Sequence, residues 1–126
     1  MKYIMRLVLG ATLMSNQVLA HEMTPTYPKL TPAYIDGVYQ TTMEMFNKRQ
    51  DVEWYEIGVF DKDFKPIPFV SSYKILNLKY LGHVTFDVYI REGDKDRATY
   101  VCSKSKIRKD GSTKTAVSSR ICSKFK

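Results

Sequence analysis

The sequence predicts an all-β fold: an immunoglobulin-like antiparallel β-sandwich of about seven short strands. Three observations carry this. Apolar residues alternate with period two in the stretches 43–59 and 83–91. Turn signals recur along the chain, at Asp36-Gly37, Asn47 to Asp51, Asp61 to Asp63, Leu81-Gly82, Glu92 to Arg97 and Asp110-Gly111. The chain has nine Tyr, six Phe and one Trp, enough aromatic bulk for a β core, whereas a helical bundle would need more Ala and Leu than it has.

The first twenty residues stand apart from that pattern. Lys2 and Arg6 precede an apolar run from Leu7 to Met14, and Val18-Leu19-Ala20 offers small residues to a signal peptidase. Residues 1–20 therefore read as a secretory signal peptide cut after Ala20. The apolar run is shorter than the roughly 18–20 residues that span a bilayer. Cleavage leaves 106 of the 126 residues, His21 to Lys126, as a single domain with no transmembrane segment. The short signal and the lack of glycosylation sequons place the protein in a periplasm or outside the cell, in a bacterial or phage-encoded setting.

In chain order, residues 21–32 contain three prolines and no period, and read as an extended leader or an edge segment. Ala33 to Gln40 is a first candidate strand, broken at Asp36-Gly37. Met43 and Met45 continue the alternation up to Asn47. After a polar loop, Tyr55, Ile57 and Val59 share one strand face, with Trp54, Glu56, Gly58 and Phe60 on the other. Both faces are partly apolar, as in a strand inside its sheet. Pro66-Ile67-Pro68 cannot continue a central strand. The segment 70–80 suits a short helix through Ile75, Leu76 and Tyr80 or a strand with Leu76, Leu78 and Tyr80 on one face, and the extended form is the one expected. His83 to Arg91 is the clearest strand, with Val84, Phe86, Val88 and Ile90 pointing inward. Glu92 to Arg97 reads as a charged turn. Ala98 to Ile107 is expected to place Tyr100 and Cys102 on the inner face, and a last strand runs from about Thr115 to Phe125.

In an exported chain, the two cysteines, Cys102 and Cys122, read as one disulfide. Their wide spacing with no nearby His makes a poor zinc site. The disulfide would close an antiparallel hairpin over about residues 98–126. A two- or four-residue loop at Asp110-Gly111 leaves the cysteines out of register, so one extra residue, as a bulge or a five-residue loop, is expected.

Charge is concentrated in that hairpin. Residues 21–102 carry ten Lys and Arg against twelve Asp and Glu. Residues 103–126 carry Lys104, Lys106, Arg108, Lys109, Lys114, Arg120, Lys124 and Lys126 against Asp110 alone. Such a cluster attracts anionic lipid, lipopolysaccharide, cell wall or an acidic protein. The same lysines also read as a charged edge that resists aggregation. Nucleic acid fits poorly, because the chain is exported and Phe125 is the one aromatic residue in the segment.

Residues 38–69 resemble the N-terminal immunoglobulin-like domain of periplasmic pilus-assembly chaperones. The matching features are Met43, Met45 and Asn47 ending a strand, then a polar loop, then Tyr55, Ile57 and Val59, then Pro66. The resemblance implies fold and compartment. Those chaperones have two domains, with an Arg on the first strand and a Lys in the second domain that anchor a pilin carboxylate. They also donate a row of large apolar residues from the last strand of the N-terminal domain. Here no Arg lies between His21 and Lys48, a single domain is expected, and the last strand offers Ile121 among Ser, Arg and Lys. No site residue is carried over.

Catalytic constellations are sparse. A Ser-His-Asp site would have to use His83, which faces out if Val84 faces in. Asp61 with Asp63 and Asp94 with Asp96 sit in turns beside Lys or Arg and lack calcium-loop spacing. No enzyme and no cofactor is expected. The role that fits is non-catalytic binding or structural work through a protein partner, by strand addition at a sheet edge. One alternative is a small secreted enzyme. Another is a copper protein, in which the new terminal amine and imidazole of His21 chelate the ion and His83 supplies a second imidazole.

Overall fold

The computed structural model describes residues 21–106 and 118–126. Nine strands and one short helix are found there. They are β1 (Glu22–Thr24), β2 (Thr31–Pro32), β3 (Val38–Phe46), β4 (Trp54–Phe60), β5 (Val70–Ser71), β6 (Ile75–Asn77), β7 (His83–Arg91), α1 (Glu92–Lys95), β8 (Tyr100–Lys106) and β9 (Arg120–Lys124). The signal-peptide reading of 1–20 and the hairpin loop at Asp110-Gly111 lie outside the described residues.

Two antiparallel sheets face each other. The first runs β1-β3-β7-β5, with β2 also paired to β3, and the second runs β6-β4-β8-β9. β3 and β4 are consecutive in sequence yet belong to different sheets, so the chain crosses the sandwich between them. The core is filled as the alternation requires. Met43 and Met45 from β3 and Phe86, Val88 and Ile90 from β7 meet Tyr55, Ile57 and Val59 from β4 and Val101 from β8, all at most 3% exposed.

Asn47 holds the crossing. Its amide nitrogen donates to the carbonyls of Val52 (2.8 Å) and Leu78 (2.7 Å), and its side-chain oxygen accepts from Tyr55 Oη (2.6 Å) and the Arg49 amide (2.9 Å). Its backbone bonds Gly82 and Leu81. Every polar atom of this fully buried residue is satisfied.

Three expectations are corrected. Residues 33–37 form a turn, not a strand. The Ala33 amide donates to the Val38 carbonyl (2.8 Å), and Gly37 adopts φ 79°, which closes a β2–β3 hairpin. Residues 92–95 form one helical turn, gathered by Asp94, whose carboxylate accepts from Arg91 and Arg97. On β8 the inner face belongs to Val101, Ser103 and Ser105, while Tyr100, Cys102, Lys104 and Lys106 occupy the outer face. The apolar character of Tyr100 and Cys102 suggests the opposite parity. The buried serines are tolerated because each finds a polar partner inside the sandwich.

Candidate binding surface

β9 is an edge strand, paired on one side to β8. The register sets Cys102 opposite Cys122, and the two are joined by the disulfide read from the sequence. β9 is shorter at its start than expected within the described residues, beginning at Arg120. Its tail is covered: the amides of Lys124 and Lys126 donate to the carbonyls of Thr26 (3.1 Å) and Pro28 (3.0 Å). Lys124 thus directs its amide away from β8, and strand alternation turns Arg120 and Cys122 the same way. Along 120–123 no second strand pairs with that edge among the described residues, although β1 approaches β9 from the other sheet.

The exposed basic residues lie on the outer face next to this edge. One row across the sheet runs Ile75, Glu56, Lys104 and Arg120. Lys106 reaches Glu56 at 3.2 Å, and Lys124 stands opposite Tyr100. Lys104 and Arg120 are like charges directly opposite each other and make no ion pair among the described residues. Lys126 is exposed beyond the strand. Arg108, Lys109 and Lys114 lie outside the described residues.

Behind the edge sits a buried polar knot that holds the start of β9. Ser119 and Ser105 bond reciprocally: the Ser119 amide donates to Ser105 Oγ (2.7 Å), and the Ser105 amide to the Ser119 carbonyl (2.8 Å). Arg49 is 5% exposed and donates twice to the Asp51 carboxylate (2.9 and 2.6 Å) and once to Ser119 Oγ (3.3 Å). Those bonds hold the Asp51 carboxyl below its usual range. His21 shares hydrogen bonds with Ser103 Oγ (2.7 Å, through Nε2) and Ser119 Oγ (3.4 Å, through Nδ1), and its ring lies 4.6 Å from that of Tyr55. Burial pulls the His21 pKa down to about 4, with Arg49 adding to the fall and the bond at Ser103 opposing it. Burial likewise pushes Tyr55 up to about 12.

His21 is therefore not the head of a free leader: it is 1% exposed, on the core face of the first sheet. His83 lies on the opposite face, stacked on Phe46 at 4.1 Å and 3.4 Å from Glu44. The two imidazoles of the copper alternative point to opposite sides of the sheet. Sequence reasoning missed the knot, although His21 and Met23 do alternate around the exposed Glu22. No helix among the described residues is long and apolar enough to cross a membrane.

No protein-family model and no curated protein sequence matches the chain. Solved structures do. The chain is similar to the E. coli chaperone DraB, with a TM-score of 0.65 and 19% identity over 84% of this chain and 53% of that one. It is also similar to the periplasmic chaperone SfaE, with a TM-score of 0.52 and 14% identity over 84% of this chain and 56% of that one. The resemblance read from residues 38–69 thus holds at the level of fold. The chain spans about half the length of these chaperones.

Proposed function

We propose that this is a non-catalytic exported protein that works in the periplasm by binding another protein along the free edge of β9. The carrying observation is the edge at 120–123, which pairs with no second strand among the described residues and is held by the disulfide on one side and the Arg49–Ser119–His21 knot on the other. An extended segment of the partner would add as a further strand, bonding the outward amides and carbonyls of Arg120 and Cys122. The likeness in fold to periplasmic chaperones supports the compartment and the protein partner. Export would follow removal of residues 1–20. The edge gives little apolar contact beyond Ile121, so the backbone ladder and the flanking cations Lys104, Arg120 and Lys124 would supply the affinity.

The test is photo-crosslinking in the host envelope. A crosslinker at Arg120 should give protein adducts, and one at Thr85, on the outer face of the other sheet, should not. Amide exchange at Arg120 and Cys122 should slow in the captured complex. Equal yields at both positions, or none at Arg120, would overturn the proposal.

A further inference from the structure

The outer face of the second sheet carries more than charge. Gly58 has no side chain, and the Phe60 ring folds over it, 2.8 Å from where a Cβ would stand. The Arg120 guanidinium lies 5.5 Å from the centre of that ring. Beside it Phe64 stacks on Tyr100, with ring centres 4.7 Å apart and planes within 4°, and Phe64 remains 47% exposed. Phe64 occupies this place at φ 58°, a left-handed conformation unfavourable for an aromatic residue. The turn is held by Asp61, whose carboxylate accepts the amides of Asp63 and Lys65. A shallow depression of about 150 Å³ opens beside the Phe60 ring, lined by Gly58, Phe60, Cys102, the cations Lys104 and Arg120, and the carboxylate of Glu56, which Lys106 neutralises at 3.2 Å.

We infer that this face is a binding site for an acidic glycan, a polymer whose sugar rings carry carboxylate or phosphate groups. A sugar ring presents a face of C–H bonds to the negative π-face of an aromatic ring, which suits the exposed side of Phe64, whose other side is stacked on Tyr100. An anion on the same ring would sit between Lys104 and Arg120 and relieve their mutual repulsion. The depression is smaller than the roughly 300–1,000 Å³ of pockets that enclose a small molecule, so the ligand lies across the face, one ring seated at a time. An acidic peptide fits this face less well. An extended peptide must satisfy its own amides and carbonyls, which a sheet edge can do. A sheet face, whose backbone is already spent in the β4–β8–β9 ladder, offers no such ladder and leaves those groups to water, while the peptide lacks the C–H face of a sugar ring. The site shares Lys104 and Arg120 with the β9 edge but uses the sheet face, not the edge backbone, and does not depend on protein binding there.

The experiment is calorimetric titration of residues 21–126 with a polygalacturonate oligomer. Parallel titrations use an uncharged glucan oligomer of equal length, poly-glutamate of equal charge and vesicles containing phosphatidylglycerol. Polygalacturonate should bind best, with affinity falling as salt rises. The double substitution Lys104→Gln/Arg120→Gln should weaken it at least about tenfold. Phe64→Gly should also weaken it severalfold while preserving the fold, since glycine relieves the backbone at that φ. Unchanged affinity in Phe64→Gly would reduce the site to charge alone and overturn the inference. So would equal binding of poly-glutamate, equal binding of the vesicles, or no binding of polygalacturonate.

Discussion

Replacing Asn47 with alanine should bring the domain close to unfolding. Four groups lose their partner at once: the hydroxyl of Tyr55, the amide of Arg49, and the carbonyls of Val52 and Leu78. All sit around a side chain with no solvent exposure. A buried polar group left without a partner costs about 1–3 kcal/mol. Even at the low end of that range the four together remove about 4 kcal/mol, against a total of about 5–15 kcal/mol for a typical domain. Asn47→Asp keeps the two acceptor bonds but turns a carboxylate toward two carbonyls, so it should be as damaging at neutral pH and partly recover in acid. Tyr55→Phe removes one donor and should cost about 1 kcal/mol. The double variant should then lose less than the sum, because Tyr55 no longer carries a hydroxyl to orphan. Urea unfolding of residues 21–126, with the slope checked for constancy, measures each value. A loss under about 1 kcal/mol for Asn47→Ala would refute the claim that this residue holds the crossing.

Further expectations concern pH, the disulfide and Gly58. His21 is protonated below about 6.5 in the unfolded chain but only below about 4 in the folded one. Stability should therefore fall by about 3 kcal/mol as pH drops through that window and change little with His21 above it. A pH series of urea melts on wild type and His21→Gln should show the slope flattened in the variant, and parallel profiles would contradict the assignment. Removing the Cys102–Cys122 bridge as the double Ala variant should lower stability by about 3 kcal/mol, read by thermal melting with and without reductant. Gly58→Ala should swing the Phe60 ring away from Arg120 with a stability change within about 1 kcal/mol. The aromatic proton shifts of Phe60 would report the move, and unaltered shifts would count against the stacked arrangement.

Much of the sandwich was legible because burial and alternation agree. Phe86, Val88 and Ile90, or Tyr55, Ile57 and Val59, are apolar on the face that is buried and need no tertiary information to be placed. The signal fails where polar residues go inside. Ser103 and Ser105 look like surface and are core, because His21, 82 positions away, satisfies the first and Ser119, across the β8–β9 pair, the second. That one inversion also sent Tyr100 and Cys102 to the wrong side. The cysteine pairing survived it, since two cysteines in an exported chain have one intramolecular bridge to make. The basic residues were legible as a cluster, but their company was not. Phe60 and Phe64 reach Tyr100 and Arg120 through the pairing of β4 with β8 and a tight turn, and no periodicity within residues 103–126 reveals either.

The hydrogen bonds from His21 to Ser103 and Ser119 link residues 82 and 98 positions apart. A contact so distant in sequence cannot act as a seed, because the loop it closes is nearly the whole domain. The same contacts give β1 its inner partners and brace the start of β9. Without them β3, β4 and β7 can still collapse around the methionines and Phe86, and β9 is held by its pairing with β8 and by the disulfide. On the proposed reading, a partner strand at Arg120 and Cys122 would meet an edge whose start is braced by contacts between residues from opposite ends of the described chain.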